Sequence, residues 1–122
     1  MPDTEKLVIM ATHGPEDAER ATIPFVMGCA ALASEVEVVL GVQADGVELV
    51  HDVVAEKVHA PEFPPLAELL STYRELGGKL LACSPCLKSR EIPAEALVEG
   101  TEIVAAARFV VELTSATNSL AY

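Results

Sequence analysis

The chain's most pointed chemical feature is a pair of cysteines two residues apart, Cys83-Ser84-Pro85-Cys86. The sulfur nucleophile is the thiolate, so such a pair is useful where positive potential and access coincide. Three of the eight basic residues, Lys79, Lys88 and Arg90, fall between residues 79 and 90, with no acid among them. The remaining five bases face 19 acids. In this cationic setting Cys83 and Cys86 are expected to ionise near neutrality and to attract a small anionic sulfur donor, with Lys88 and Arg90 in support. The plainer alternative is that Lys88 and Arg90 only solvate a surface loop.

A CxxC pair serves three chemistries. It exchanges thiol for disulfide, with one cysteine attacking and the other resolving. It supplies half of a zinc site, which then needs two more ligands. Or one cysteine carries a sulfane sulfur as a persulfide. There is no second CxxC, and His13, His51 and His59 lack ligand spacing, so neither a metal nor another cofactor is expected. A thioredoxin-like layout expects the pair to open a long helix early in the chain. Here it begins only at residue 83, with Pro93 shortly beyond.

His13 is the one histidine placed to face the same crevice; otherwise it is a satisfied turn residue. His51 and His59 read as surface or subunit contacts, and Cys29, within an apolar helix, as a core residue. His13-Gly14-Pro15 is neither a dinucleotide fingerprint nor a P-loop, and no Ser/His/Asp elbow is present.

These residues need elements to hold them. Lys6–Thr12 is a near-continuous apolar run, the mark of a strand covered on both faces. A helix follows from Glu16 to about Ser34, with Pro24 predicting either a kink or a start nearer Thr22. Apolar residues lie all round its second half, so it must be buried on more than one side, against the sheet and against a partner subunit. Glu37–Val42 is a second strand. Val47–Val58 has the spacing of a short helix, His59–Pro65 is a proline-rich loop, and Leu66–Leu76 is an amphipathic helix ended by Gly77-Gly78. Lys79–Ala82 is a third strand running straight into Cys83. Beyond it come a turn or short helix within Ile92–Val98, a short strand Glu102–Val104, a helix Ala105–Thr117 and a closing edge strand Ser119–Tyr122. Alternating strands and helices make one α/β domain over residues 1–122, with a mostly parallel sheet of about five strands flanked by helices. Ligands of such a sheet meet the loops leaving the carboxyl ends of the strands. Three such loops qualify: residues 13–15, 43–46 and 83–90.

The 122 residues carry a formal net charge of −11, and 51% are hydrophobic. The length suits one self-sufficient core, and the acidity argues against direct nucleic-acid binding and against an anionic membrane surface. Two Tyr, three Phe and no Trp leave little for a stacking platform. Met1 to Lys6 lacks the basic region of an export leader. The longest uncharged run, Ala21 to Ser34, has fourteen residues, short of the ~20 that span a bilayer. A cytoplasmic protein is therefore expected. Three cysteines, an odd number, exclude a disulfide framework.

The opening strand with the turn Gly14-Pro15-Glu16-Asp17, the run Ala21-Thr22-Ile23-Pro24-Phe25 and Val36–Val39 followed by Gly46-Val47 form one set of motifs. Gly77-Gly78-Lys79-Leu80-Leu81-Ala82-Cys83 and Cys86-Leu87-Lys88-Ser89-Arg90 form another. On these, end to end, the chain resembles the DsrE/DsrF-like family of small sulfur-relay proteins. The resemblance implies a mostly parallel five-stranded sheet, assembly as a homotrimer or hexamer, and persulfide sulfur accepted at one cysteine and passed to a next carrier, in tRNA thiolation or sulfur oxidation. Counted back from Arg90, Cys83 stands where the family's sulfur-carrying cysteine does. Cys86 is an addition relative to single-cysteine members, and a neighbouring thiol can reduce a persulfide. Glu91 stands where glycine is usual.

The resulting expectation is a sulfur-relay, sulfurtransferase-like protein carrying persulfide on Cys83, with Cys86 as its resolving partner. Its partners would be sulfur donor and acceptor proteins or small sulfane compounds. The alternatives are a thiol–disulfide oxidoreductase using Cys83 and Cys86, and a non-enzymatic oligomeric scaffold subunit.

Overall fold

A computed structural model describes residues 5–122; the segment Met1 to Thr4, on which the expectation of no export leader partly rests, lies outside the described residues. Five strands form one sheet: β1 (Lys6–Ala11), β2 (Glu37–Val42), β3 (Lys79–Cys83), β4 (Thr101–Val104) and β5 (Asn118–Ala121). They lie in the order β4-β3-β2-β1-β5, and every pairing is parallel. The expected α/β class with a parallel five-stranded sheet is what the chain adopts. Among the described residues, no helix is long and apolar enough to cross a membrane.

The apolar runs are explained by burial on both sheet faces. Ile9, Leu40, Val42 and Leu80 point into the larger core, with Phe25 of α1 (Ala18–Ala33) and Leu66 and Tyr73 of α3 (Leu66–Glu75). The alternate residues Val8, Met10, Val39, Leu81 and Val104 meet Phe109 of α5 (Ala106–Thr114) on the other face. Gly41 makes room there, because a Cβ on it would stand 2.6 Å from the Phe109 ring. An ionic network holds α5 in place. Lys6 Nζ and Arg108 Nε each donate to the buried Glu112 carboxylate at 2.7 Å, and Arg108 also reaches Glu102 at 2.6 Å. Lys6 foremost, then Arg108, lowers the Glu112 pKa below the usual glutamate value.

The helices depart from the sequence reading in three places. First, of the two starts offered for α1, the one near Thr22 is not taken: the helix begins at Ala18, with Asp17 as N-cap and Pro24 buried inside it. Second, the second cover of α1 is α3 of the same chain, through an edge-on contact of Phe25 and Tyr73 with ring centroids 6.0 Å apart. That cover is partial, since Met27 of α1 stays 39% exposed. Further apolar surface lies on Val110 (56% exposed) and Val111 (60% exposed) of α5 and on Ile103 of β4. Third, the helix expected over Val47–Val58 is split into a 3₁₀ turn at Ala44–Val50 and the short α2 (Asp52–Ala55). Its valines are poor helix formers, and between the two pieces His51 is extended and bridges Leu97.

Candidate functional site

β3 delivers Cys83 to the carboxyl end of the sheet. The chain there folds at once into α4 (Ser84–Ser89), where the sequence suggested a loop. Proline is accepted in a helix's first turn because the N–H it lacks would have no partner there, so Ser84-Pro85 opens α4 readily. Cys83 is the residue before the helix and Cys86 lies one turn on, which puts both side chains on the same side. Their Sγ atoms are 2.8 Å apart, as free thiols, and both residues are half-buried.

The loop after β2 closes over the pair. Ala44 adopts a left-handed backbone (φ 51°) and its N–H donates to Cys86 Sγ at 3.3 Å. The next residue, Asp45, accepts from Arg90 at 2.8 Å, while Arg90 also donates to the Cys86 carbonyl at 3.2 Å. The loop after β1 interlocks with this one through two glycines. A Cβ on Gly14 would fall 2.4 Å from the Asp45 carbonyl oxygen, and one on Gly46 would fall 2.2 Å from that of Ala11. The three loops marked in the sequence thus form one rim.

The structure brings Cys83, Cys86 and Arg90 together and places the other candidates apart from them. Lys79 starts β3 and so lies at the opposite end of the strand from Cys83, about 13 Å away at ~3.3 Å per residue. Lys88 is exposed on the last turn of α4. His13 bonds through Nδ1 to Glu16 at 3.0 Å. Cys29 is half-buried and donates to the Leu69 carbonyl at 3.5 Å, and His59 pairs with the Phe63 carbonyl at 2.9 Å. At the β1–β5 edge, where the strand order reverses, the Thr12 N–H and hydroxyl both donate to the Tyr122 carbonyl, at 2.8 and 2.7 Å. Among the described residues, no group of three or more His, Cys, Asp or Glu side chains is placed to hold a metal ion.

The electrostatics differ from the expected cationic island. Burial first, and then the adjacent Cys86 thiol, push the Cys83 thiol above the usual cysteine value; the Arg90 charge opposes them without reversing the shift. Asp45 pairs with the same guanidinium at 2.8 Å within the rim and so offsets its charge there. Neither Asp45 nor Ala44 was singled out from the sequence, although loop 43–46 was. The available signal was the carboxylate in Ala44-Asp45-Gly46 at the end of a strand that neighbours β3.

Asp45→Asn tests this balance. With Arg90 unpaired, the Cys83 thiolate is favoured, so alkylation of Cys83 at pH 7 is expected to speed up by less than about tenfold, the span of one pKa unit. The rate-against-pH curve should move to lower pH. An unmoved curve would show that Arg90 does not act on this sulfur.

The DsrE/DsrF-like family model matches residues 5–120. Uncharacterized protein MJ0989 of Methanocaldococcus jannaschii is 33% identical over 99 residues, covering 80% of this chain and 82% of that protein. Uncharacterized protein MK0008 of Methanopyrus kandleri is 32% identical over 98 residues, covering 80% and 77%. Two solved structures share the fold. The YchN protein of E. coli superposes with a TM-score of 0.82 at 20% identity, covering 98% of this chain and all (100%) of that one. MTH1491 of Methanobacterium thermoautotrophicum superposes with a TM-score of 0.73 at 15% identity, covering 95% and 98%. By the reach of the family match, this chain belongs to the DsrE/DsrF-like family, which is associated with sulfur relay in general.

Proposed function

We propose that this protein is a sulfur-relay, sulfurtransferase-like protein that carries persulfide sulfur on Cys83. The observation that carries the reading is the position of Cys83, a free, half-buried thiol at the carboxyl end of β3 where three loops converge. In the loading step the Cys83 thiolate attacks the outer sulfur of a donor persulfide, R–S–SH. The Cys83 Sγ–S bond forms, the donor S–S bond breaks, and R–S⁻ leaves. Cys86 and Arg90 support the step, Arg90 by its charge and by tying α4 to the β2 loop. Lys88, exposed on the last turn of α4, adds positive potential at the approach, and His13, bonded to Glu16 on the first loop, supports the rim rather than the sulfurs.

Loading is tested by incubating the reduced Cys86→Ser chain, which lacks the neighbouring thiol that could discharge the sulfur, with a sulfane donor and mapping the added sulfur by peptide mass spectrometry. The mass of one sulfur on the Cys83 peptide, absent from Cys83→Ser, is expected. No adduct, or an adduct confined to Cys29, would refute the assignment.

A thiol–disulfide oxidoreductase is the second reading, favoured by the 2.8 Å separation of the two sulfurs. It requires repeated cycling of a Cys83–Cys86 disulfide against protein disulfides in the absence of any sulfane donor, and an insulin-reduction assay separates it from sulfur carriage.

Partners follow from the chemistry: donor and acceptor proteins or small sulfane compounds, in the cytoplasm, where thiols stay reduced. We place self-association as a homotrimer or hexamer on the apolar surface of α5 and β4. Val110→Glu with Val111→Glu is expected to lower the sedimenting mass to that of one chain, and an unchanged mass would move the interface elsewhere.

A further inference from the structure

We infer that Cys86 ends the carriage: it attacks a persulfide on Cys83 and releases the sulfur as sulfide, so that the protein acts as a persulfide reductase. This rests on the reading of Cys83 as the carrier and assigns the fate of its sulfur. In the step, the Cys86 thiolate attacks the inner sulfur, Cys83 Sγ. The Cys86–Cys83 disulfide forms, the bond from Cys83 Sγ to the outer sulfur breaks, and that sulfur leaves with the electron pair as HS⁻. The two cysteines are oxidised and the sulfane sulfur is reduced. A dithiol, or two small thiols, must then reduce the disulfide to reset the protein.

Three observations carry the inference. The attacking and attacked sulfurs already stand 2.8 Å apart, at or inside the ~3–3.5 Å of a near-attack arrangement. A sulfur held there competes with any acceptor arriving from solution as though present at very high concentration. Second, the surroundings fix Cys86 from three sides: α4 carries it, the Ala44 N–H holds its Sγ, and Arg90 binds its carbonyl. Ala44 does so from a left-handed backbone, a strained conformation for a non-glycine residue that persists only where the surroundings over-determine it. Third, the Asp45–Arg90 pair ties that loop to the end of α4 at 2.8 Å, a second link between the segment that carries the donor and the helix that carries the sulfur. Ala44 and Asp45 are positioning residues; the reacting atoms belong to the cysteines.

The test uses the full chain, reduced, freed of reductant and kept anaerobic, with one equivalent of glutathione persulfide. Wild type is expected to release close to one equivalent of sulfide and to end two hydrogen masses lighter, the Cys83–Cys86 disulfide. Cys86→Ser is expected to keep the added sulfur on Cys83 and to release sulfide slower by about tenfold or more. Cys86→Ala and thermal melting check that the variant's behaviour is not misfolding. A wild-type chain that keeps the added sulfur, on either cysteine, overturns the inference and leaves carriage standing. If neither wild type nor Cys86→Ser takes up sulfur, carriage on Cys83 falls as well.

Discussion

Gly46→Ala is expected to lower the stability of the fold by about 3 kcal/mol or more, the upper end of what overpacking costs, and to loosen the sulfur site with it. The added Cβ would stand 2.2 Å from the Ala11 carbonyl oxygen and 2.9 Å from its carbon. Both are backbone atoms at the end of β1, and that oxygen already accepts from the Gln43 N–H at 3.0 Å. No side chain can swing aside, so the loop must lift away from the strand. The lifted segment carries the Ala44 N–H that holds Cys86 and the Asp45 carboxylate that holds Arg90. Melting is expected to fall by roughly 10 °C, and a mild oxidant should close the Cys83–Cys86 disulfide more slowly than in wild type. Gly77→Ala is the contrast. Gly77 has φ +90°, and nothing lies within 4 Å of where its added Cβ would stand, so only backbone strain is incurred, on the order of 1–2 kcal/mol. Equal losses at the two positions would mean that the contact with β1 is not what Gly46 serves.

The order of strands and helices was legible because the signals were local. Lys6–Ala11 and Glu37–Val42 are apolar on successive residues because both sheet faces are covered, and they read as buried strands for that reason. Leu66, Leu70 and Tyr73 show the helical spacing of α3 and point into the core. What failed locally was Val47–Val58, where helical spacing was overridden by the extended backbone at His51 and its bridge to Leu97, 46 residues away along the chain. The contribution of α3 to the cover on α1 was out of reach for the same reason. Whether sheet, sister helix or partner buries an apolar face is a tertiary fact, and α3 supplies part of the answer here.

The cysteine pair was legible in the same way, as a motif at a strand end, but its electrostatics were not. Counting charge between residues 79 and 90 assumes that neighbours in sequence share a potential. Along a strand they do not, and Lys79 is carried to the far end of β3. The neutralising carboxylate, Asp45, lies 45 positions before Arg90 and reaches it only because β2 and β3 are paired in register from Val39 and Lys79 onward. The composition of the segment suggested an easily ionised thiol. The fold makes one whose pKa burial and the adjacent thiol raise, and that shifts the emphasis from charge to the proximity of the two sulfurs.

Tyr73→Ala is expected to cost about 3–5 kcal/mol, the usual range for emptying a buried aromatic site, and to disturb the cysteines from the other end of β3. The Tyr73 ring is fully buried, edge-on to Phe25, and two glycines leave space for it: a Cβ on Gly28 would come within 2.9 Å of the ring and one on Gly78 within 2.3 Å. Its hydroxyl donates to the Lys79 carbonyl at 2.6 Å, and burial raises its pKa above the usual tyrosine value. The ring thus packs α3 against α1 while the hydroxyl fixes the first residue of the strand that ends in Cys83. Tyr73→Phe keeps the packing and leaves the Lys79 carbonyl without that donor, for a loss of about 1–3 kcal/mol. Chemical denaturation of the two variants separates the contributions. If the phenylalanine variant loses as much as the alanine one, the hydroxyl dominates; if the alanine variant unfolds at the wild-type midpoint, Tyr73 does not hold these layers together. Alkylation of Cys83 in the folded alanine variant should be faster than in wild type, because a strand released at Lys79 no longer presents its last residue half-buried between the two core layers.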